Sequence, residues 1–342
     1  DVDRSENREG SVAKIRPEGF EPPYPAWSPE LPETLSYVQA QVAIQSPAGE
    51  RDEELFVSLE SKLREDGDLR HVERVGHVDS QGAYNDIAIA YWRTPAAMRS
   101  WLSTAGPFGA LADEAADRGR GVWYEAIVAP RSHYEINGSI PDVEWGLARE
   151  FDSFLEPFHA YWGGMRDRIA AAEDGGLPGT IGTIDRESRD GRGLVRIELP
   201  EHICLIRTVQ GMSDTGEEET VAYHTNMRPQ YETGVHFLAD NPTASRCLSA
   251  RLVSSDQPGP ARPHTETLAW FTSLEDLEHW VHSHPTHKAI FEATHEHAAR
   301  FAADMRLLLG HEVIVAPAGG AEAVYADCHP ATGLMPYFEA VG

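Results

Sequence analysis

An α+β fold made of two ferredoxin-like modules, packed as a pseudo-symmetric dimeric α+β barrel, is predicted by three observations. Over residues 36–130 the elements run strand, helix, strand, strand, helix, strand. The same order returns over 202–316. The final strands also match residue by residue. Tyr124-Glu125-Ala126-Ile127-Val128-Ala129-Pro130 and His311-Glu312-Val313-Ile314-Val315-Ala316-Pro317 are identical at five of seven positions.

Each element has its own signal. Residues 1–35 form a Pro-rich arm (Pro17, Pro22, Pro23, Pro25, Pro29, Pro32), extended because proline lacks an N–H and fixes φ. Its Tyr24 and Trp27 are expected to lie on the body. Loose alternation predicts a strand over 35–45. Leu55, Leu59 and Leu63 mark one face of a helix over 52–64. Strands over 71–78 and 86–92 flank a turn at Gly82. A short helix over 95–102 has Pro in its first turn, and a strand follows over 122–129.

The aromatic run 142–170 (Trp145, Phe151, Phe154, Phe158, Trp162) reads as helical, and the Gly-rich stretch 173–195 as a linker. In the second copy, strands are expected over 202–209, 247–254, 265–271 and 311–316. Helices are expected over 214–238 and 274–281, with a further helix starting at Pro285. The domain division is thus arm 1–35, N-terminal module 36–172, linker 173–195 and C-terminal module 196–342. Trp92 followed by Trp101 is matched to Trp270 followed by Trp280.

The copies differ in one place. Trp92 to Tyr124 spans 32 residues, whereas Trp270 to His311 spans 41. The longer insert holds a histidine-rich helix, and His311 replaces Tyr124. One copy reads as structural and the other as modified for chemistry.

Composition narrows the function classes. The formal charge is −26, which repels nucleic-acid phosphates and anionic lipid. No run approaches ~18 apolar residues, so no membrane span is expected. Three widely spaced cysteines argue against a disulfide framework and point to a reducing cytoplasm. A homodimer is compatible with this reading.

Seven of the sixteen histidines lie between His279 and His311. On the helix after Pro285, His287, Ile290, Phe291, Thr294, Ala298, Phe301 and Met305 share a face, which places His287 on the buried stripe. His295 and His297 fall off it and read as solvated surface residues. His284 and His287 lack a third ligand at zinc spacing, and no His-Glu-x-x-His or paired-cysteine motif occurs. A buried histidine at 311 could serve as general acid or base, although a structural His bonded to backbone is the equal alternative. Arg168 closes an aromatic-rich run, where it could hold a polar substrate group or an acidic partner. Ser213 precedes Asp214 and reads most simply as a helix N-cap. No Gly-x-Ser-x-Gly elbow, phosphate loop or dinucleotide fingerprint appears.

Several stretches together resemble the haem-containing aldoxime dehydratases. They are Tyr161-Trp162-Gly163-Gly164-Met165-Arg166-Asp167-Arg168, Leu205-Ile206-Arg207 leading to Ser213-Asp214-Thr215, and His284-Pro285-Thr286-His287 with Ile290-Phe291. His311-Glu312-Val313, Cys328-His329-Pro330 with Thr332-Gly333, and the arm segment Pro22-Pro23-Tyr24-Pro25-Ala26-Trp27 complete the set. The resemblance spans nearly the whole chain.

It implies dehydration of R–CH=N–OH to a nitrile at ferrous haem b, with a small aldoxime as substrate and no nucleic acid or membrane partner. The implied iron ligand is His287, with His284 as runner-up; the implied distal residues are His311, Ser213 and Arg168. Met212 and Gly310 stand where the family pattern leads us to expect aromatic residues, which bears on pocket shape. Competing expectations are a barrel-fold peroxidase or chlorite-dismutase-like enzyme, a haem-binding protein without turnover, and a haem-free barrel monooxygenase or binding module.

Overall fold

The computed structural model describes residues 15–141, 145–182, 193–255 and 264–338. The arm carries a three-residue strand, β1 (Trp27–Pro29). The first block then follows: β2 (Tyr37–Ser46), α1 (Glu53–Arg64), β3 (Leu69–Val78), β4 (Tyr84–Trp92), α2 (Pro95–Leu102), α3 (Pro107–Asp117) and β5 (Gly121–Ala129). Every residue of β2 is buried, as expected of a central strand covered on both faces. Asp52 caps α1 by accepting from the Leu55 amide at 3.1 Å, and Leu55, Phe56, Leu59 and Leu63 turn inward. Gly82 adopts φ +80° in the turn between β3 and β4, which needs glycine. Helix α3 has no counterpart in the sequence expectations.

The expected helix over 142–170 is not formed by the described residues of that span. After β6 (Tyr134–Gly138), a 3₁₀ turn (Leu147–Glu150), β7 (Ser153–Leu155) and the short α4 (Gly164–Arg168) take its place. The backbone explains the difference. Gly146, Ala160 and Gly163 all have positive φ, and Pro157 interrupts the run. The aromatic residues scatter: Trp145 and Phe151 pack in one core cluster, whereas Trp162 lies against Phe291 of α9.

The second block begins after β8 (Leu194–Glu198): β9 (Cys204–Gly211), α5 (Glu217–Ala222), a π-turn (Tyr223–Met227), α6 (Arg228–Asp240), α7 (Pro242–Ser245), β10 (Cys247–Ser254), β11 (His264–Phe271), α8 (Leu274–Ser283), α9 (Pro285–Phe301), β12 (Leu308–Val315) and β13 (Ala321–Ala326). Helix α9 ends at Phe301, because Ala302 turns to φ 45°, so Met305 lies beyond the helical face predicted for it. His311 sits inside β12 rather than at its start. Of the expected linker 173–195, residues 183–192 lie outside the described residues. The three cysteines are unpaired and buried. No helix among the described residues is long and apolar enough to cross a membrane.

All strand pairs are antiparallel, in the order β7-β1-β6-β12-β9-β11-β10-β3-β4-β2-β5-β13-β8. The fold is therefore α+β with one large antiparallel sheet. Strand β10 of the second block meets β3 of the first through a single pair, Ser254 with Gly76. Strands β13 and β8 extend the first block although they come late in the chain.

Side chains join strands that are distant in this order, so the sheet curls round. The Glu312 carboxylate on β12 accepts from the hydroxyls of Tyr37 on β2 and Tyr91 on β4, both at 2.6 Å. The Glu125 carboxylate on β5 accepts from Trp270 Nε1 on β11 at 2.8 Å and from Arg251 on β10 at 2.7 and 2.5 Å. Glu312 and Glu125 are the matched glutamates of the repeat. The bonded aromatics Tyr91 and Trp270 are then equivalents, which moves the Trp92–Trp270 match by one residue. Packing agrees: Trp92 lies 6.0 Å from Trp101, and Phe271 lies 6.2 Å from Trp280. Thr94 and Ser273 cap the corresponding helices α2 and α8.

This interior holds paired charges. Arg207 is wholly buried between Glu266, at 2.7 Å, and Glu73. Replacing Arg251 with Met should leave Glu125 buried without its cation and destabilise the fold by about 3–5 kcal/mol. Denaturant unfolding of the variant checks this, and a midpoint equal to that of the unaltered protein would refute it.

Candidate active site

Alternation along β12 divides its side chains. Glu312 and Ile314 enter the interior, whereas His311 and Val313 lie on the opposite face, with Val313 packed in the same cluster as α8 residues. The cross-strand partners of His311 are Asn137 on β6 and Thr208 on β9. One step along β6, Glu135 pairs with Val313 and so shares the His311 face.

Glu135, Arg168 and His311 form a compact polar group. Arg168 grips Glu135 with two hydrogen bonds, Nε to Oε2 at 2.8 Å and Nη2 to Oε1 at 3.0 Å. His311 Nε2 lies 2.9 Å from Glu135 Oε1 and 3.1 Å from Arg168 Nη2. A third Arg168 nitrogen donates to the Phe158 carbonyl, which ties α4 to the preceding loop. Burial alone would raise the Glu135 pKa, but Arg168 and His311 bring it down to about 2. The carboxylate therefore stays charged across the physiological range. Burial works against the charge on Arg168, and Glu135 more than restores it. Glu135 was missed at the sequence level. Its signal in the sequence is an acid within the strand-like segment Tyr134-Glu135-Ile136-Asn137-Gly138.

His287 lies in the first turn of α9, near enough to His311 for their charges to interact. Its ring is 4.7 Å from Trp280 and 6.3 Å from Trp162. Nδ1 is buried without a hydrogen bond. Burial lowers the pKa to about 4, only partly offset by the Val281 carbonyl, so the ring is neutral at pH 7. A neutral imidazole with a ring nitrogen to spare is the donor that haem iron requires. His284 is differently employed. It caps α9, its Nδ1 accepting from the Thr286 amide at 3.3 Å with the Thr286 hydroxyl at 2.8 Å, and it stacks on Phe237.

The remaining predicted residues are less tightly placed. Ser213 is exposed in the turn after β9, and its side chain makes no bond to His311 or Arg168. It is not the cap of α5, a position held by Gly216. His295 is half-buried, and His297 is buried at 4% exposure with Nε2 3.2 Å from Glu219, so neither is a solvated surface residue. Gly310 lies on the interior face, where a Cβ would come within 2.4 Å of the Trp145 ring. The aromatic expected at 310 is thus supplied there by Trp145, away from His311. Among the described residues, no three His, Cys, Asp or Glu side chains gather as a metal-ligand cluster.

Burial also lowers the pKa of His77 to about 4. Its unfolded form and that of His287 take up protons from pH 6.5 downward, while the folded forms resist until about 4. Stability of the haem-free protein should therefore fall as pH drops from 6.5 to 4, by up to about 1.4 kcal/mol per pH unit for each ring. Urea midpoints at pH 7, 6 and 5 check the sign; a flat series would contradict it.

Comparison with known proteins bears on the family of the whole chain. A family model described as haem-containing dehydratase matches residues 37–334. The chain is 31% identical to a phenylacetaldoxime dehydratase of Bacillus sp. (strain OxB-1), covering 95% of each chain. It is also 31% identical to an aliphatic aldoxime dehydratase of Pseudomonas chlororaphis, covering 95% of this chain and 94% of the relative. A crystal structure of aldoxime dehydratase superposes with a TM-score of 0.85 at 28% identity, covering 97% of this chain and 96% of that one. Another, an aldoxime dehydratase in complex with butyraldoxime, gives 0.84 at 26% identity, covering 96% and 94%. With a family model spanning almost every strand around the Glu135–Arg168–His311 group, and relatives similar from end to end, the chain belongs to the haem-containing dehydratase family.

Proposed function

We propose that this protein is a lyase that dehydrates small aldoximes, R–CH=N–OH, to nitriles with haem b as cofactor. The observation that carries the reading is a histidine held by a buried Glu–Arg pair, opposite a neutral histidine free to bind iron. His287 would hold the iron, since His284 is already committed to capping α9. Ferrous haem, when bound, would take the substrate nitrogen and supply electron density that weakens its N–O bond.

The rest is done by the chain. His311 Nε2 can donate to Glu135, which stabilises a positive ring and leaves Nδ1 to hand its proton to the leaving hydroxyl. The N–O bond breaks and water departs. Nδ1, now neutral, takes the proton from the aldoxime carbon as the C≡N bond forms, so the ring ends as it began. Arg168 fixes Glu135 and thereby the tilt of His311, which positions both transfers. Ser213 would hold the hydroxyl oxygen, a role that requires its turn to fold inward when substrate binds.

The same proposal treats residues 36–172 and 196–342 as two ferredoxin-like modules closed into a pseudo-dimeric barrel, with β8 and β13 as bridging strands. It is supported by the orders β5-β2-β4-β3 and β12-β9-β11-β10, which follow one pattern, and by the Glu312 and Glu125 bonds across the interior. A cytoplasmic home suits the three buried free thiols. A homodimer is checked by light scattering.

The test is the dithionite-reduced, haem-loaded protein incubated anaerobically with phenylacetaldoxime or butyraldoxime. Nitrile formation and a shifted Soret band are expected. Haem binding without nitrile from either substrate would leave a carrier or a different haem enzyme.

A further inference from the structure

The arm meets the site at a place that catalysis does not use. The Tyr24 ring lies 5.5 Å from His159, on the loop before α4, and 5.5 Å from His295, two turns along α9 from His287. His159 is buried at 4% exposure, and its ring has no hydrogen-bond partner among the described residues. The Tyr24 hydroxyl has none either, and burial raises its pKa to about 12, so it remains a donor. His295 Nδ1 is engaged by the Phe291 carbonyl at 2.9 Å, which leaves Nε2 available.

The surrounding field is positive. Burial lowers the His159 pKa to about 4, and the charges acting with it are the guanidiniums of Arg168 and Arg16. The nearby carboxylates are occupied. Asp167 accepts from the Ile15 and Arg16 amides and from Tyr161, and Glu156 accepts from Ser28 and the Phe158 amide. Here one buried ring, His159, and two half-buried ones, Tyr24 and His295, converge near two cations, in a chain whose net charge is −26. A carboxylate would satisfy all of them through charge-assisted bonds.

We propose that Tyr24, His159 and His295 form a carboxylate-binding wall between the Arg168 loop and α9 and hold a propionate of the haem. The assignment rests on the haem reading above. It gives the arm a function: Tyr24 closes the site by recognising the cofactor rather than the substrate. His159 can take up a proton as the carboxylate arrives, which turns a neutral ring into an ion-pair partner.

The test compares haem with its dimethyl ester, which carries no carboxylate. Each is loaded onto the full chain, and transfer to excess apomyoglobin is timed by absorbance. The unaltered protein should release the ester about tenfold faster than haem, as expected for loss of a charged hydrogen bond. Tyr24→Phe and His159→Phe should release haem faster and the ester at an unchanged rate, so the ratio collapses toward one. Tyr24→Phe removes a single oxygen and guards against misfolding of the other variant. A ratio retained in both variants overturns the proposal. So does a retained ratio combined with weakened spectral binding of a carboxylate-bearing aldoxime, which would assign the wall to the substrate. If neither porphyrin gives a Soret band, the haem reading itself has failed.

Discussion

Replacing His287 with Ala is expected to give a folded protein that no longer retains haem, with affinity lower by about 100-fold or more. The fold should survive because this imidazole contributes little to it. Its Nδ1 is buried unbonded, and burial disfavours its charged form. Removing such a group relieves an unpaired polar atom while forfeiting contacts with Trp280 and Trp162. Far-UV dichroism should be unchanged, and the Soret band should disappear after gel filtration. His284→Ala makes the contrast. It removes the α9 cap and should lower thermal stability by about 1 kcal/mol while haem stays bound. Haem retained in His287→Ala and lost in His284→Ala would move the ligand by one turn.

His287 was legible in the sequence because an apolar stripe with period 3.6 ran through it. Its neighbours show where that argument stops. His297 lies off the stripe yet is buried, because Glu219 reaches it from α5, 78 residues away. No local pattern carries a contact of that range. The repeat was legible in the same way, since matched final strands require matched surroundings. Its register differs by one residue from the tryptophan match, because Tyr91 and Trp270 bond the matched glutamates. The segment 142–170 failed for a different reason. Aromatic density imitates a helix, but left-handed backbone at Gly146, Ala160 and Gly163 forbids one. Ser213 was identified by resemblance alone, and nothing in its exposed turn adds to that.

Glu135 is the residue that a sequence reading could not rank, and it carries the second large effect. His311→Ala should lower the rate of nitrile formation by about 10²–10⁴-fold with haem still bound, since general acid–base catalysis is worth that much. Glu135→Gln keeps the shape but removes the charge that steadies His311 and Arg168, and a loss of about 10–100-fold is expected. The two changes should not add. If Glu135 acts only by holding His311, the double variant will be no slower than His311→Ala alone, because residues working as a unit give non-additive losses. Single-turnover rates of the reduced, haem-loaded variants measure this without interference from product release. A double variant slowed by the product of the two single effects would mean that Glu135 serves substrate or haem directly. The geometry argues otherwise. Both carboxylate oxygens are taken by Arg168, and the 2.9 Å contact to His311 Nε2 leaves Nδ1 as the ring nitrogen free to exchange a proton.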